Sequence, residues 1–114
     1  MAGYETLICE ERDHVAWVTL NRPEAHNAFT ALMQAECQDL WRSLRTNDEV
    51  RVVVLTGAGE QAFCVGIDRD EPFTAMAGDR ALYGTSNNFM YNDPGDLLGP
   101  KSNDLWKPVI AAVN

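Results

Sequence analysis

The run Val52-Val53-Val54-Leu55-Thr56-Gly57 is continuous, β-branched and apolar, and it stops on a glycine. A short uninterrupted apolar run bounded by a turn signal reads as a buried strand. A few residues later comes Ala62-Phe63-Cys64-Val65-Gly66-Ile67-Asp68, with a second glycine placed before an aspartate. A buried strand that feeds a glycine turn restricts the chain to folds that build something at the end of a sheet.

Three further segments surround that core motif: Val18-Thr19-Leu20-Asn21-Arg22-Pro23, Asn27-Ala28-Phe29-Thr30, and Lys107-Pro108-Val109-Ile110-Ala111-Ala112-Val113-Asn114. In this order and at these separations the four pieces resemble the enoyl-CoA hydratase/isomerase (crotonase) family, across nearly the whole chain. The resemblance implies an α/β fold built from the ββα unit that crotonases stack as a spiral. It also implies that residues 1–114 form the N-terminal part of an acyl-CoA-binding domain, ending after the first turns of that spiral. In the family, a glycine-rich loop with the second oxyanion donor, and then the acid/base carboxylates, follow the Ala-Val-Asn segment. They are expected to lie beyond Asn114.

At 114 residues the chain is long enough for one domain that buries roughly 65% of its unfolded surface. Hydrophobic residues make up 46% and charged residues 23%, a balance typical of a globular protein and unlike a disordered one. No apolar run approaches the roughly 20 residues that span a bilayer, so no membrane association is expected. Residues 1–11 are interrupted by Glu5, Glu10 and Glu11 and do not read as a secretory signal. Cys9, Cys37 and Cys64 are odd in number and widely spaced. That argues against a disulfide framework and a zinc site, so no metal is expected and a reducing cytoplasm fits best. The formal net charge of −8 disfavours nucleic acid, whose binding rests on neutralising phosphates.

Residues 6–9 and 15–20 are β-rich runs flanking Glu10-Glu11-Arg12-Asp13-His14, which predicts two antiparallel strands joined by a polar turn. Asn21-Arg22-Pro23 breaks the ladder because Pro23 has no amide hydrogen. Met33, Cys37, Leu40, Trp41 and Leu44 recur at helical spacing and predict a helix over 31–44. Thr30 suits its N-cap, and Thr46-Asn47-Asp48 suits its end. The chain returns to strand over 50–55, a short extended piece is expected at 62–64, and 109–113 reads as a final strand. Residues 70–100 mix glycine, proline and polar residues, and the pattern there predicts a short helix near 79–90 set in loops. Phe73, Tyr83, Phe89, Tyr91 and Trp106 could line an acyl pocket or simply pack a loop-rich flap.

By resemblance, the amide of Ile67 matches the family's first oxyanion donor, and Gly66 permits the turn that exposes it. Asp68 could cap a following helix. Glu24-Ala25-His26-Asn27-Ala28 matches the stretch beside the adenine and pantetheine portions of coenzyme A, with Ala25 and Ala28 at its small positions. Arg22 and His26 are the nearest positive candidates for phosphate, Arg22 standing equally well as a surface residue. Cys64, Val65 and Asp68 complete the expected substrate-binding set, with Cys64 reading better as a small packed residue than as a reactive thiol. Asp70 and Glu71 follow the motif but read as solvated charges, and no acid/base residue of the family transfers to this chain. His14 has no partner at a metal or nucleophile spacing.

The resemblance implies acyl-CoA thioester chemistry with no cofactor beyond the coenzyme A of the substrate, in a homo-oligomer (trimer or hexamer) or beside a complementing C-terminal polypeptide. Two alternatives stand with it: a non-catalytic CoA-binding or assembly module, and an inactive fragment. The apolar final strand predicts a partner surface for the first two.

Overall fold

The computed structural model describes residues 3–70 and 98–114. Within them, strands β1 (Leu7–Arg12), β2 (Val15–Leu20), β3 (Val52–Gly57) and β4 (Val109–Ala112) form one sheet in the order β1-β2-β3-β4. The β1/β2 pair is antiparallel, while β2/β3 and β3/β4 are parallel. Helix α1 (Ala31–Arg45) makes the crossover from β2 to β3, as a parallel pair requires. The expected helix near 79–90, and Phe73, Tyr83, Phe89 and Tyr91, lie outside the described residues.

Side chains on a strand alternate between faces, and the register aligns one apolar set against α1. Leu7 pairs with Leu20, Cys9 with Val18, Ala16 with Val53 and Val18 with Leu55. Facing them are Met33, Cys37, Leu40, Trp41 and Leu44, all within 1% of complete burial. Each such side chain contributes about 1.5–3 kcal/mol of transfer free energy. The helical stripe read from the sequence is therefore the core stripe. Trp41 also donates its indole N–H to the Leu98 carbonyl at 2.7 Å.

Both ends of α1 follow from local chemistry. The Thr30 hydroxyl accepts the Met33 N–H at 3.1 Å, as expected of an N-cap. Arg42 and Arg45 occupy the last turn, where positive charge complements the helix dipole. Lys107 donates to the carbonyls of Asn47 and Val50, at 2.7 Å each, and ties the helix exit to the lead-in of β4.

Three boundaries differ from the sequence pattern. Glu10, Glu11 and Arg12 belong to β1, and the turn shrinks to Asp13 and His14, both with positive φ. The twist of a two-residue hairpin demands that backbone, and an exposed edge strand accommodates the charges that look like turn residues. β3 starts at Val52, because Val50 still bonds back to Asn47 in the helix exit. Residues 62–64 form no strand; the extended pairing falls instead at Ile67, bridged in parallel to Phe29.

The sheet face opposite α1 carries a second apolar row. Trp17, Val54 and Ile110 are aligned by register, with Trp17 38% and Ile110 56% exposed. The Arg12 guanidinium lies over the Trp17 ring at 4.8 Å, a partial cover of the kind cation–π contacts supply.

Candidate functional site

The carboxyl ends of β2 and β3 meet two loops, residues 21–30 and 58–70, and the candidate residues gather there. In parallel sheets this is the edge where ligands are bound. The chain leaves β2 through the short 3-10 turn Pro23–Ala25 and then passes through left-handed backbone at both His26 (φ 52) and Asn27 (φ 59). Asparagine tolerates that region better than most residues.

Asn27 is completely buried, and its amide makes three hydrogen bonds. Its Oδ1 accepts the Arg22 N–H at 2.8 Å. Its Nδ2 donates to Ala58 O and Ala62 O, both at 3.0 Å. One side chain thus ties its own loop to the loop after β3. Gly57 leaves room for it: a Cβ there would come within 2.8 Å of Asn27 Nδ2 and 2.6 Å of Phe63 O.

The second loop closes on the first through Phe29. The Phe29 N–H donates to Gly66 O, and the Asp68 N–H donates to Phe29 O, each at 2.9 Å. In a trans peptide the C=O and N–H point in opposite directions. The Gly66 carbonyl points at Phe29, so the N–H of Ile67, in the same peptide unit, points directly away from it. Among the described residues that N–H has no acceptor. A hydrogen bond accepted by the carbonyl also polarises the amide toward donation. Gly66 adopts φ 108 with open space around its α-carbon, so the backbone angle, and not crowding, calls for glycine here.

Both carboxylate oxygens of Asp68 are held. Its Oδ2 accepts Arg22 Nη1 at 3.0 Å and its Oδ1 accepts the Asp70 N–H at 2.9 Å. The Asp70 N–H, and after it the Arg22 guanidinium, hold the carboxyl below the usual aspartate range. Arg22 Nη1 also donates to Ala28 O at 2.6 Å, with only a fifth of its side chain exposed.

The structure therefore brings together Arg22, Ala28, Gly66, Ile67 and Asp68. Arg22, expected to face phosphate, spends Nη1 inside the protein, and Asp68 caps the turn at Asp70, the last residue described in that segment. Ala28 is buried and Ala25 half-buried. His26 is exposed and belongs to a hollow of about 320 Å³ that it lines with Pro23, Gly59, Glu60 and Gln61. Cys64 turns the other way, into an apolar cavity of about 270 Å³ beside Cys37, Trp41 and Phe63. Val65 is 63% exposed and Trp106 74% exposed. The His14 ring meets the Glu49 carbonyl and carboxylate, at the far end of the sheet. Among the described residues no cluster has the make-up of a metal site, and no helix is long and apolar enough to cross a membrane.

Asn27, Gly57 and Phe29 were not singled out by chemistry in the sequence. Asparagine followed by small residues in a post-proline loop was the available signal for the first. The close approach at Gly57 has no local signature at all.

A profile of enoyl-CoA hydratase/isomerase matches residues 10–114. The chain belongs to the enoyl-CoA hydratase/isomerase family. It is 40% identical over 108 residues to (E)-benzylidenesuccinyl-CoA hydratase of Thauera aromatica, an alignment covering 92% of this chain and 38% of that protein. It is 35% identical to mevalonyl-coenzyme A hydratase of Beauveria bassiana, covering 99% of this chain and 40% of that one. The crystal structure of an enoyl-CoA hydratase/isomerase from Mycobacterium paratuberculosis superposes with a TM-score of 0.78 at 32% identity, over 98% of this chain and 41% of that chain. The α/β fold is that of the crotonases. The chain spans about two-fifths of the length of the curated relatives it matches.

Proposed function

We propose that this chain supplies the first part of an acyl-CoA thioester site of the enoyl-CoA hydratase/isomerase type, with the Ile67 N–H as a donor to the thioester oxygen. The observation that carries this reading is the Gly66–Ile67 peptide, whose carbonyl is held by Phe29 and whose N–H is directed away from Phe29 without an acceptor among the described residues. In such chemistry the carbonyl oxygen becomes negative as an enolate forms, and a preorganised donor stabilises that charge without moving. By comparison with other oxyanion sites, one such donor is worth about 3 kcal/mol.

The coenzyme A moiety would run along the 22–28 loop, with Ala25, His26 and Ala28 beside it and the Cys64–Val65 backbone flanking the thioester, while the Cys64 side chain lines the apolar cavity. Arg22 would retain only its remaining guanidinium nitrogens for phosphate. Asp68 is committed to Arg22 and Asp70, so proton transfer would fall to other carboxylates. Kinship with the family supports action in an assembly, as a homo-trimer or hexamer or beside a complementing polypeptide, in the cytoplasm. The exposed row Trp17, Val54 and Ile110 favours such assembly, and it equally supports the second reading, a non-catalytic CoA-binding or assembly module.

The test is an amide titration of the ¹⁵N-labelled chain with a short enoyl-CoA and with coenzyme A alone. Both should shift the 22–28 loop, and only the thioester should shift Ile67. Equal responses at Ile67 to both ligands would remove it from the thioester oxygen, and shifts confined to the loop would favour the binding-module reading.

A further inference from the structure

The Arg22/Asp68 pair joins residues 46 positions apart and sits at the donor turn, at the margin of the core against which Phe29 and Ile67 pack. We infer that Arg22 is a positioning residue for the Gly66–Ile67 peptide, holding the turn against Phe29 and cancelling the charge that Asp68 places one residue from the donor. This inference deepens the proposed thioester site and rests on it for its chemical meaning.

The geometry gives Arg22 two tasks through one nitrogen. Nη1 donates to Ala28 O and to Asp68 Oδ2, so it bridges the two loops just where Phe29 exchanges hydrogen bonds with Gly66 and Asp68. Asp68 cannot swing away, because its other oxygen holds the Asp70 N–H. The bridge therefore fixes the direction of the Ile67 N–H through the partner of its own peptide carbonyl.

The electrostatic task follows from what the donor would meet. A carboxylate beside a developing enolate oxygen opposes the charge, and like charges at short range are costly where water is scarce. The two side chains are only 20% and 15% exposed, so solvent screens them incompletely. With the guanidinium 3.0 Å away, the pair is a near-neutral dipole and leaves the donor's field unopposed.

The two tasks separate experimentally in the ¹⁵N-labelled chain, with Arg22→Gln, Asp68→Asn and the double variant. Hydrogen exchange tests positioning without any ligand. In Arg22→Gln the Phe29 and Asp68 amides should exchange roughly 3–10-fold faster, the range of a lost partly exposed charged hydrogen bond, while Val53 and Leu40 keep their protection. Unchanged exchange at Phe29 and Asp68 overturns the positioning role, and uniformly faster exchange reduces Arg22 to general stability. Arg22→Lys, which keeps the charge, should retain most of the protection.

Binding tests the electrostatic task, with a 3-ketoacyl-CoA thioester, whose enolate carries the relevant charge, against the saturated acyl-CoA. Arg22→Gln should lower the preference for the enolisable thioester several-fold, and adding Asp68→Asn should restore part of it, since no uncompensated carboxylate then remains while the turn still lacks its bridge. A double variant no better than Arg22→Gln overturns charge cancellation. If the unaltered chain shows no preference between the thioesters, the thioester reading fails and charge cancellation with it, while positioning is still decided by exchange.

Discussion

The interface between α1 and the sheet is almost completely buried, the loop cluster at the carboxyl ends of β2 and β3 is buried only around Asn27, Ala28 and Phe29, and the two are held by different forces. In the first, Met33, Cys37, Leu40, Trp41 and Leu44 meet Ala16, Val18, Leu20 and Val53, and the attraction is non-directional and scales with area. In the second, Asn27, Arg22 and Asp68 meet backbone carbonyls and amides at defined distances. Volume decides the first region, and the identity of single atoms decides the second. The candidate site lies in the region where geometry is specified atom by atom.

The largest expected loss comes from Trp41→Ala, which opens the core and leaves the Leu98 carbonyl without its indole donor. Denaturant unfolding should show about 3–5 kcal/mol of destabilisation. A loss below about 2 kcal/mol would mean that the core collapses around the gap and that volume matters less than argued.

The contrast itself is tested by two substitutions that nearly preserve volume. Met33→Leu in the core should cost less than about 1.5 kcal/mol. Asn27→Asp replaces the donor to Ala58 O and Ala62 O by an oxygen, setting acceptor against acceptor in a site with no exposure. It should cost about 3 kcal/mol or more. Similar losses for the two would erase the distinction between the regions.

That same distinction explains what could be read from the sequence. The core stripe of α1 was legible because periodicity reports burial directly, and Thr30 because capping chemistry is local. The motif around Gly66 was legible as a turn. Its consequence, an amide aimed away from Phe29 because Phe29 holds the other side of the same peptide, depends on residues 37 positions apart and has no local sign. Arg22 looked like a free cation because its partner lies in another loop. Glu10 and Glu11 looked like turn residues because an exposed edge strand and a turn share a polar composition.

The two regions should also fail at opposite ends of the pH scale, at the smallest cost near neutrality. Asp68 has its carboxyl held below the usual range by the Asp70 N–H and then by Arg22. Its contribution is present above the unfolded value of about 3.9 and is lost as pH falls through the folded one. Protection at Phe29 and Asp68 should thus be flat from pH 8 to 5 and decline only in stronger acid, ahead of the core amides. Cys37 behaves oppositely, because burial, then Glu36 and then Cys64, push its thiol up to about 12. A raised folded value means stability is full below the unfolded thiol value and falls as pH rises toward the folded one, by at most about 1.4 kcal/mol per pH unit. Cys9, pushed up to about 11 by burial and then by Glu11 and Glu10, adds to the same limb. Amide exchange at pH 3.5 and denaturant unfolding at pH 10 separate the two, since acid should loosen the turn locally while alkali should lower the stability of the whole fold. Were acid to weaken turn and core together, the loop cluster could not be treated as a locally held unit, and the orientation of the Ile67 amide would depend on the core after all.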